Sequence, residues 1–189
     1  IVFLENKFKV HKRSEILQKI SKYGQCIAIA GTHGKTTTTA ILAHILKVAD
    51  FSFCAFVGGI MENYNSNFIY NGEDFILVEA DEFDRSFLNL NPNFACITSL
   101  DVDHLDIYED SENLNKAFIE FKNNLLDGGF LISNEKVDIK SLKYGVSDNS
   151  DYIVKNIKCN SSFSQFDLHF RGIRLENLKI KLQGVHNVM

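Results

Sequence analysis

No stretch of this 189-residue chain stays apolar over the roughly 20 consecutive residues that a membrane-spanning helix needs. The first residues, Ile1 to Lys7, also lack the succession of charged, apolar and small-residue regions that marks a secretory signal peptide. Cysteines are few and far apart. Cys26, Cys54, Cys96 and Cys159 form no C-x-x-C pair, which argues against a zinc site of that spacing. Three of the four sit in apolar runs and read as buried, reduced thiols of a cytoplasmic protein. Basic charge is not in excess either: a formal net charge of −4 gives no global reason to expect a nucleic-acid partner, although a local anion site is compatible with it. Proline is nearly absent, and the single one, Pro92, lies in the loop from Asn89 to Asn93. The chain has no initiator methionine and stops at Met189 without a tail, so it is expected to be a piece of a longer protein.

What remains is ordinary globular material, 45% hydrophobic and 23% charged, enough for one sizeable domain with or without an appendage. From His11 to Tyr23 the residues Ile16, Leu17 and Ile20 share one helical face, and Gly24 closes the helix. Cys26 to Ala30 is a short apolar run before a glycine, which suits a buried strand. Thr36 to Ala49 again has a helical face, built from Ile41, Leu42, Ile45, Leu46 and Val48. Strand, glycine loop and helix together open a βαβ unit. Phe75 to Val78, Phe94 to Leu100 and Phe130 to Ile132 are further strands. Runs apolar on successive residues suit a parallel sheet buried on both faces. Glu112 to Leu126 is a helix, with Leu114, Phe118, Phe121 and Leu125 on one side and Gly128 and Gly129 stopping it. Beyond about Asp151 the period changes to two. Leu178, Ile180 and Leu182 alternate with Lys179 and Lys181, which indicates half-exposed antiparallel strands. The expected fold class is therefore α/β: a mostly parallel P-loop sheet flanked by helices, with a small antiparallel section near the C-terminus.

Three of the buried strands end in residues with chemistry: Gly31 to Thr37, Glu79 to Glu82, and Asp101 to His104. Ligands of open parallel sheets bind in the crevice at the carboxyl ends of the strands, so the convergence carries more weight than any one motif. A phosphate loop needs inward backbone N–H groups, glycines for close approach, a lysine for the β- and γ-phosphates and a Ser/Thr hydroxyl for magnesium. Gly31, Gly34, Lys35 and Thr36 supply these, and the following helix turns its positive end to the anion. The usual pattern also has a glycine where this chain has Ile29, so the loop is a shortened variant. Four threonines in a row, Thr36 to Thr39, are mediocre helix formers. They make sense if their hydroxyls serve a ligand and the orphan N–H groups of the first turn, with Thr36 on the metal and Thr37 supporting phosphate. Glu79 across from Thr36 fits the sparse carboxylate ligation of nucleotide-bound magnesium; the bland alternative is a strand-end carboxylate in solvent or paired with Arg85. His33 has two readings, a substrate contact or a variable loop position. For His104 the chemistry of the residue alone assigns no metal role, since imidazole is a poor ligand for magnesium.

Four stretches, Gly31 to Thr39, Glu79 to Asp84, Asp101 to Tyr108 and Gly184 to Asn187, occur in the order and spelling that resemble the successive signatures of the Mur ligases. The resemblance runs from about Gln25 to the end and covers only the central ATPase domain of that three-domain family. It implies a domain at 25–189, preceded by a linker and helix at 1–24, with the UDP-binding and C-terminal domains absent from this chain. It implies that Gly31, Thr32, His33, Gly34, Lys35, Thr36 and Thr37 hold ATP and that Thr36 and Glu79 hold one Mg2+. It further implies that His104 approaches a second Mg2+, and that Asn187 recognises adenine with His186 beside it. Lys35, Glu79 and His104 are the catalytic residues so implied, and Gly58 to Asn67 resembles the sugar-nucleotide side of the cleft.

Within the family the spelling is most similar to members that join L-alanine to UDP-N-acetylmuramate through an acyl phosphate in cell-wall synthesis. Several relatives carry a carbamylated lysine a short way after the metal histidine. Here that stretch reads Ala117-Phe118-Ile119, with Lys116 and Lys122 the nearest amines, which agrees with the alanine-adding members. The implied partners are small molecules, namely ATP, UDP-N-acetylmuramate and L-alanine, with neither nucleic acid nor membrane insertion, in the cytoplasm. Two rival readings stand beside this one: a murein tripeptide ligase of cell-wall recycling, and a nucleotide-binding fragment that forms no amide bond by itself.

Overall fold

The computed structural model describes residues 9–101 and 111–188. Its framework is one sheet of ten strands. In chain order these are β1 (Gln25–Ala30), β2 (Phe53–Met61), β3 (Ser66–Tyr70), β4 (Phe75–Glu79), β5 (Phe94–Ile97), β6 (Phe130–Asn134), β7 (Leu142–Gly145), β8 (Tyr152–Cys159), β9 (Ser164–Phe170) and β10 (Ile173–Ile180). They lie side by side in the order β10-β9-β8-β7-β6-β5-β1-β4-β2-β3. Every pairing from β2 through β8 across this order is parallel; the two ends, β2 with β3 and β8 with β9 with β10, are antiparallel.

The apolar run of β1 is buried on both faces because its alternate residues face different helices. Cys26, Ala28 and Ala30 join a cluster with Ile76, Val78, Ala95, Ile97 and the aromatic pair Phe118 and Phe121. Ile29, from the opposite face, packs with Ala43, Leu46, Phe53, Ala55 and Leu77. The first cluster is covered by helix α3 (Ser111–Asn123), a 3-10 segment Phe83–Asn89 and, from the N-terminal side, Leu17 and Ile20 of helix α1 (Arg13–Ile20). The second is covered by helix α2 (Lys35–Val48). Phe87 of the 3-10 segment meets Phe118 and Phe121 at ring-centroid distances of 5.1 and 5.2 Å, in the tilted arrangements that aromatic rings favour. The result is three layers, helix on sheet on helix, as expected.

Boundaries differ from the expectations for local reasons. The strand expected from Phe94 to Leu100 ends at Ile97, because the next two residues turn to buttress the glycine loop. The helix expected to run to Leu126 stops at Asn123, and the Asn124 side chain donates to the Leu88 carbonyl at 2.8 Å instead. α2 ends where Asp50 adopts a left-handed conformation, φ 56°. The hairpin of β2 and β3 and the short strand β7 were not expected. Near the C-terminus there are three antiparallel strands, and the last, where the alternation was read, ends at Ile180 rather than Leu182.

Candidate nucleotide site

Register explains how distant residues meet. In the parallel pair β1/β4, Ile29 lies opposite Glu79; in β1/β5, Ala30 lies opposite Ile97. The residues just beyond each strand therefore line up as neighbours. The glycine loop is clasped between Glu79 to Glu82 on one side and Thr98 to Asp101 on the other. Thr32 Oγ1 and Ser99 Oγ are 2.9 Å apart, the His33 N–H donates to Ser99 Oγ at 2.9 Å, and the Asp101 N–H donates to Thr32 Oγ1 at 2.9 Å. Thr98 Oγ1 donates to the His33 carbonyl at 2.5 Å. Gly31, at φ 134°, is required here: a Cβ would stand 2.2 Å from Thr98 Oγ1 and 2.9 Å from the Ser99 nitrogen. Gly34, at φ 80°, is the N-cap of α2, which no side chain caps. The helix thus opens directly from the loop with its first-turn N–H groups and its positive end turned to the same place.

Two pairs of side chains furnish the chemistry. Thr36 Oγ1 donates to Glu79 Oε1 at 2.9 Å, while Glu79 Oε2 accepts from the Gly58 N–H at 2.7 Å. Gly58 has no room for a side chain, since a Cβ would lie 2.5 Å from Glu79 Oε2. Lys35 curls back over the loop: its Nζ donates to the Gly31 carbonyl at 2.7 Å and to Glu82 Oε1 at 2.9 Å, and lies 2.7 Å from Glu82 Oε2. Arg85, the alternative partner considered for Glu79, pairs with Glu120 at 3.3 Å instead. Beside Glu79 opens a cleft of about 440 Å3, lined among others by Lys12, Arg13, Gly58, Asp81 and Ser86.

The oxygens of Thr36 and Glu79 suit a magnesium ion. Two ligands about 2.1 Å from an octahedral cation and at right angles lie roughly 3 Å apart, close to the observed 2.9 Å. Among the described residues no group of three His, Cys, Asp or Glu side chains could hold a metal; magnesium bound to a nucleotide takes most of its oxygens from phosphate and water and needs only one or two from the protein.

The expected residues Gly31 to Thr37 and Glu79 thus share one crevice. The threonine run is explained differently from expectation at one point. Thr39, fully buried, donates its hydroxyl back to the Lys35 carbonyl at 2.8 Å, serving the backbone rather than an orphan N–H. Asn187 lies in a 3-10 turn, Val185–Asn187, where its amide donates to the Gln183 carbonyl at 2.6 Å. His104, with Asp103 and Asp106, lies outside the described residues. In the stretch Ala117-Phe118-Ile119, Ala117 and Phe118 are fully buried, and Lys116 pairs with Glu112 at 2.7 Å on the exposed face of α3. Sequence reasoning missed Glu82 and Ser99. Glu82 closes a stretch singled out for its chemistry but had no role of its own, and Ser99 was placed inside a strand; nothing in a run of Glu, Asp and Glu says which carboxylate turns inward.

Comparison with known proteins bears on this geometry. Residues 29–189 match the family described as the Mur ligase middle domain. A curated UDP-N-acetylmuramate–L-alanine ligase of Christiangramia forsetii is 46% identical over 188 residues, covering 99% of this chain and 42% of that protein. That of Flavobacterium psychrophilum is 45% identical over 186 residues, covering 98% of this chain and 42% of that protein. This chain thus spans less than half the length of the curated relatives it matches. The crystal structure of a UDP-N-acetylmuramate–alanine ligase from Thermotoga maritima is similar with a TM-score of 0.82 at 26% identity, over 99% of this chain and 44% of that one. A UDP-N-acetylmuramate:L-alanyl-gamma-D-glutamyl-meso-diaminopimelate ligase from Neisseria meningitides shares the fold, with a TM-score of 0.79 at 23% identity, over 98% of this chain and 64% of that one.

Proposed function

This chain belongs to the Mur ligase family, whose middle domain it matches over most of its length, and on that premise we propose that the protein containing it joins L-alanine to UDP-N-acetylmuramate with ATP. The observation that carries the reading is the crevice itself, where a glycine loop at a helix start meets the Lys35 ammonium and the Thr36–Glu79 oxygen pair. Its support for the amino acid is the names of the 46% and 45% identical relatives. The tripeptide reading has a likeness of fold alone behind it.

In this mechanism the muramic acid carboxylate attacks the γ-phosphorus of ATP, giving an acyl phosphate and ADP. The L-alanine amine then attacks the acyl carbon, and phosphate leaves. Phosphoryl transfer of this kind is catalysed by positioning and by charge neutralisation. The N–H groups from Gly34 to Thr37, where α2 opens, receive the phosphates, while those of Thr32 and His33 donate to Ser99 and hold the loop in shape. Lys35 neutralises charge that builds between β- and γ-phosphates. Thr36 and Glu79 would hold one magnesium, which would supply further charge neutralisation. The family resemblance would give His104 a second magnesium, and His186 and Asn187 the adenine. The soluble nucleotide substrates put the reaction in the cytoplasm.

The test uses the full-length reading frame that contains this chain. With ATP, magnesium, UDP-N-acetylmuramate and L-alanine, it should release one ADP and one phosphate per amide bond formed. Replacing Glu79→Gln should raise the magnesium needed for half-maximal rate about tenfold, the scale of removing one charge-assisted interaction. Turnover with the tripeptide and none with L-alanine would refute the substrate assignment, and unchanged magnesium dependence would refute the metal role of Glu79.

A further inference from the structure

The roles above leave the most buried carboxylate of the crevice unused. Glu82 is 4% exposed, three residues past Glu79, and its carboxylate touches Lys35 through both oxygens. A carboxylate so buried needs a strong reason to stay charged, and a paired ammonium is one. We propose that Glu82 is a positioning residue for the nucleotide: it holds the Lys35 ammonium at the mouth of the glycine loop, with one N–H left to donate to phosphate. The proposal rests on the nucleotide reading above.

Counting donors leads to it. A lysine ammonium has three N–H groups. One is taken by the Gly31 carbonyl at 2.7 Å and one by the Glu82 carboxylate, which among the described residues leaves the third for an arriving phosphate. The two carboxylates of the crevice are divided in their duties. Glu79 is spent on the Thr36 hydroxyl and the Gly58 N–H, and Glu82 on the ammonium.

A competitor for phosphate would draw the lysine out of the loop. Glu82 instead grips Lys35 while the same ammonium remains bonded to the carbonyl of Gly31, the first loop residue. A lysine side chain free in solvent has many rotamers to lose on binding. Pinned beforehand, it loses few of them when the nucleotide arrives, which is the gain expected of preorganisation. Both residues lie a few positions past the ends of β1 and β4, which the parallel register sets side by side.

The experiment is calorimetric titration of magnesium-ATP into the full-length enzyme and into Glu82→Gln, Lys35→Met and the double variant. The wild-type titration tests the nucleotide reading itself; if it shows no binding, that reading and this proposal fall together. Given wild-type binding, Glu82→Gln should bind at least about tenfold more weakly, the effect of one charge-assisted hydrogen bond. In the Lys35→Met background the same substitution should cost almost nothing, because the two residues act as one unit. In turnover, Glu82→Gln should raise the KM for ATP and leave the KM for L-alanine unchanged. Three results would overturn the proposal. ATP binding equal to or tighter than wild type would make Glu82 a competitor of phosphate. An equal loss in the Lys35→Met background would detach it from the lysine. A parallel rise in both KM values with a fallen melting temperature would make it a packing residue only.

Discussion

β1 is buried at four of its six positions, whereas the first five residues of β10 are all exposed. Both are strands of one sheet, yet they are built on different physics. β1 has hydrogen-bonded neighbours on both sides and helices on both faces, so packing fixes all but its first residue; beyond its end the His33 peptide is bonded to Ser99 and the Thr36 hydroxyl to Glu79. In β8 to β10 the stabilising interactions are local. The hairpin Phe170–Ile173 turns on Arg171 and Gly172, both at positive φ, as a two-residue turn of the primed type requires. Beside it, Asp167 on β9 accepts from the Asn156 side chain at 2.6 Å and from the Asn177 N–H at 2.8 Å, tying down the irregularities of both flanking strands. Those bonds hold the Asp167 carboxyl below its ordinary range. The candidate site lies beside the strand that packing holds most closely, and the exposed β10 lies at the far rim of the sheet.

That contrast can be broken by experiment. Phe118 is fully buried and touches Phe87, so Phe118→Ala should cost about 3–5 kcal/mol of stability. Leu175 on β10 is 42% exposed, and Leu175→Ala should stay within about 0.5 kcal/mol. Urea denaturation of the two variants checks this, and equal losses would mean that β10 is packed as tightly as the core. A second pair compares two lysines. Lys35→Ala should lower kcat at least about 100-fold, as for removal of one preorganised electrostatic interaction. Lys179→Ala, which removes only an ammonium 5.1 Å from the Phe163 ring centroid, should leave kcat where it was. Phosphate release reads both, and near-normal turnover of the Lys35 variant would sink the site.

The smallest effect concerns thiols. Burial pushes Cys26 and Cys96 up to about 12, and burial with the Glu73 charge raises Cys54, while Cys159 on β8 is exposed. At pH 8 a thiol reagent followed by peptide mapping should modify Cys159 first and the other three only on unfolding. Because Cys26 and Cys96 lose their protons less readily folded than unfolded, the stability they contribute is complete below about pH 9 and falls away as the pH rises toward 12. Fast labelling of Cys26 would show that the buried face of β1 opens.

The two regions also differ in how far they could be read from the residues alone. Cys26 to Ala30, Phe75 to Val78 and the spacing of Phe118 and Phe121 announced buried elements, because burial on both faces leaves an apolar run that little else produces. Thr36 and Glu79 could be matched because Glu79 ends one such run and the glycine loop that carries Thr36 follows another. The β2–β3 hairpin escaped because Gly58 and Gly59 interrupt its apolar stretch, and those glycines are there to admit Glu79 and Thr36, not to suit a strand. The turn at Arg171 escaped because arginine is not a usual sign of a left-handed residue. Glu82 escaped because its partner, Lys35, is 47 residues away and only the register of two strands brings them together.

An open sheet also has two rims, here β3 and β10. A rim of unpaired peptide groups is a template on which another chain can grow into a ribbon. Neither rim of this sheet is straight. The pairing of β2 with β3 shifts register between Phe56 and Met61, and that of β9 with β10 between Leu175 and Leu178, where Asn177 stands at φ 57° within the rim strand itself. A strand docking on β10 would find donors and acceptors in step for only a few residues before the kink carried them apart, and Lys179 and Lys181 would add like charges where two copies met. The same irregularities that Asp167 ties down therefore act as colloidal protection, keeping a ten-stranded sheet from recruiting an eleventh.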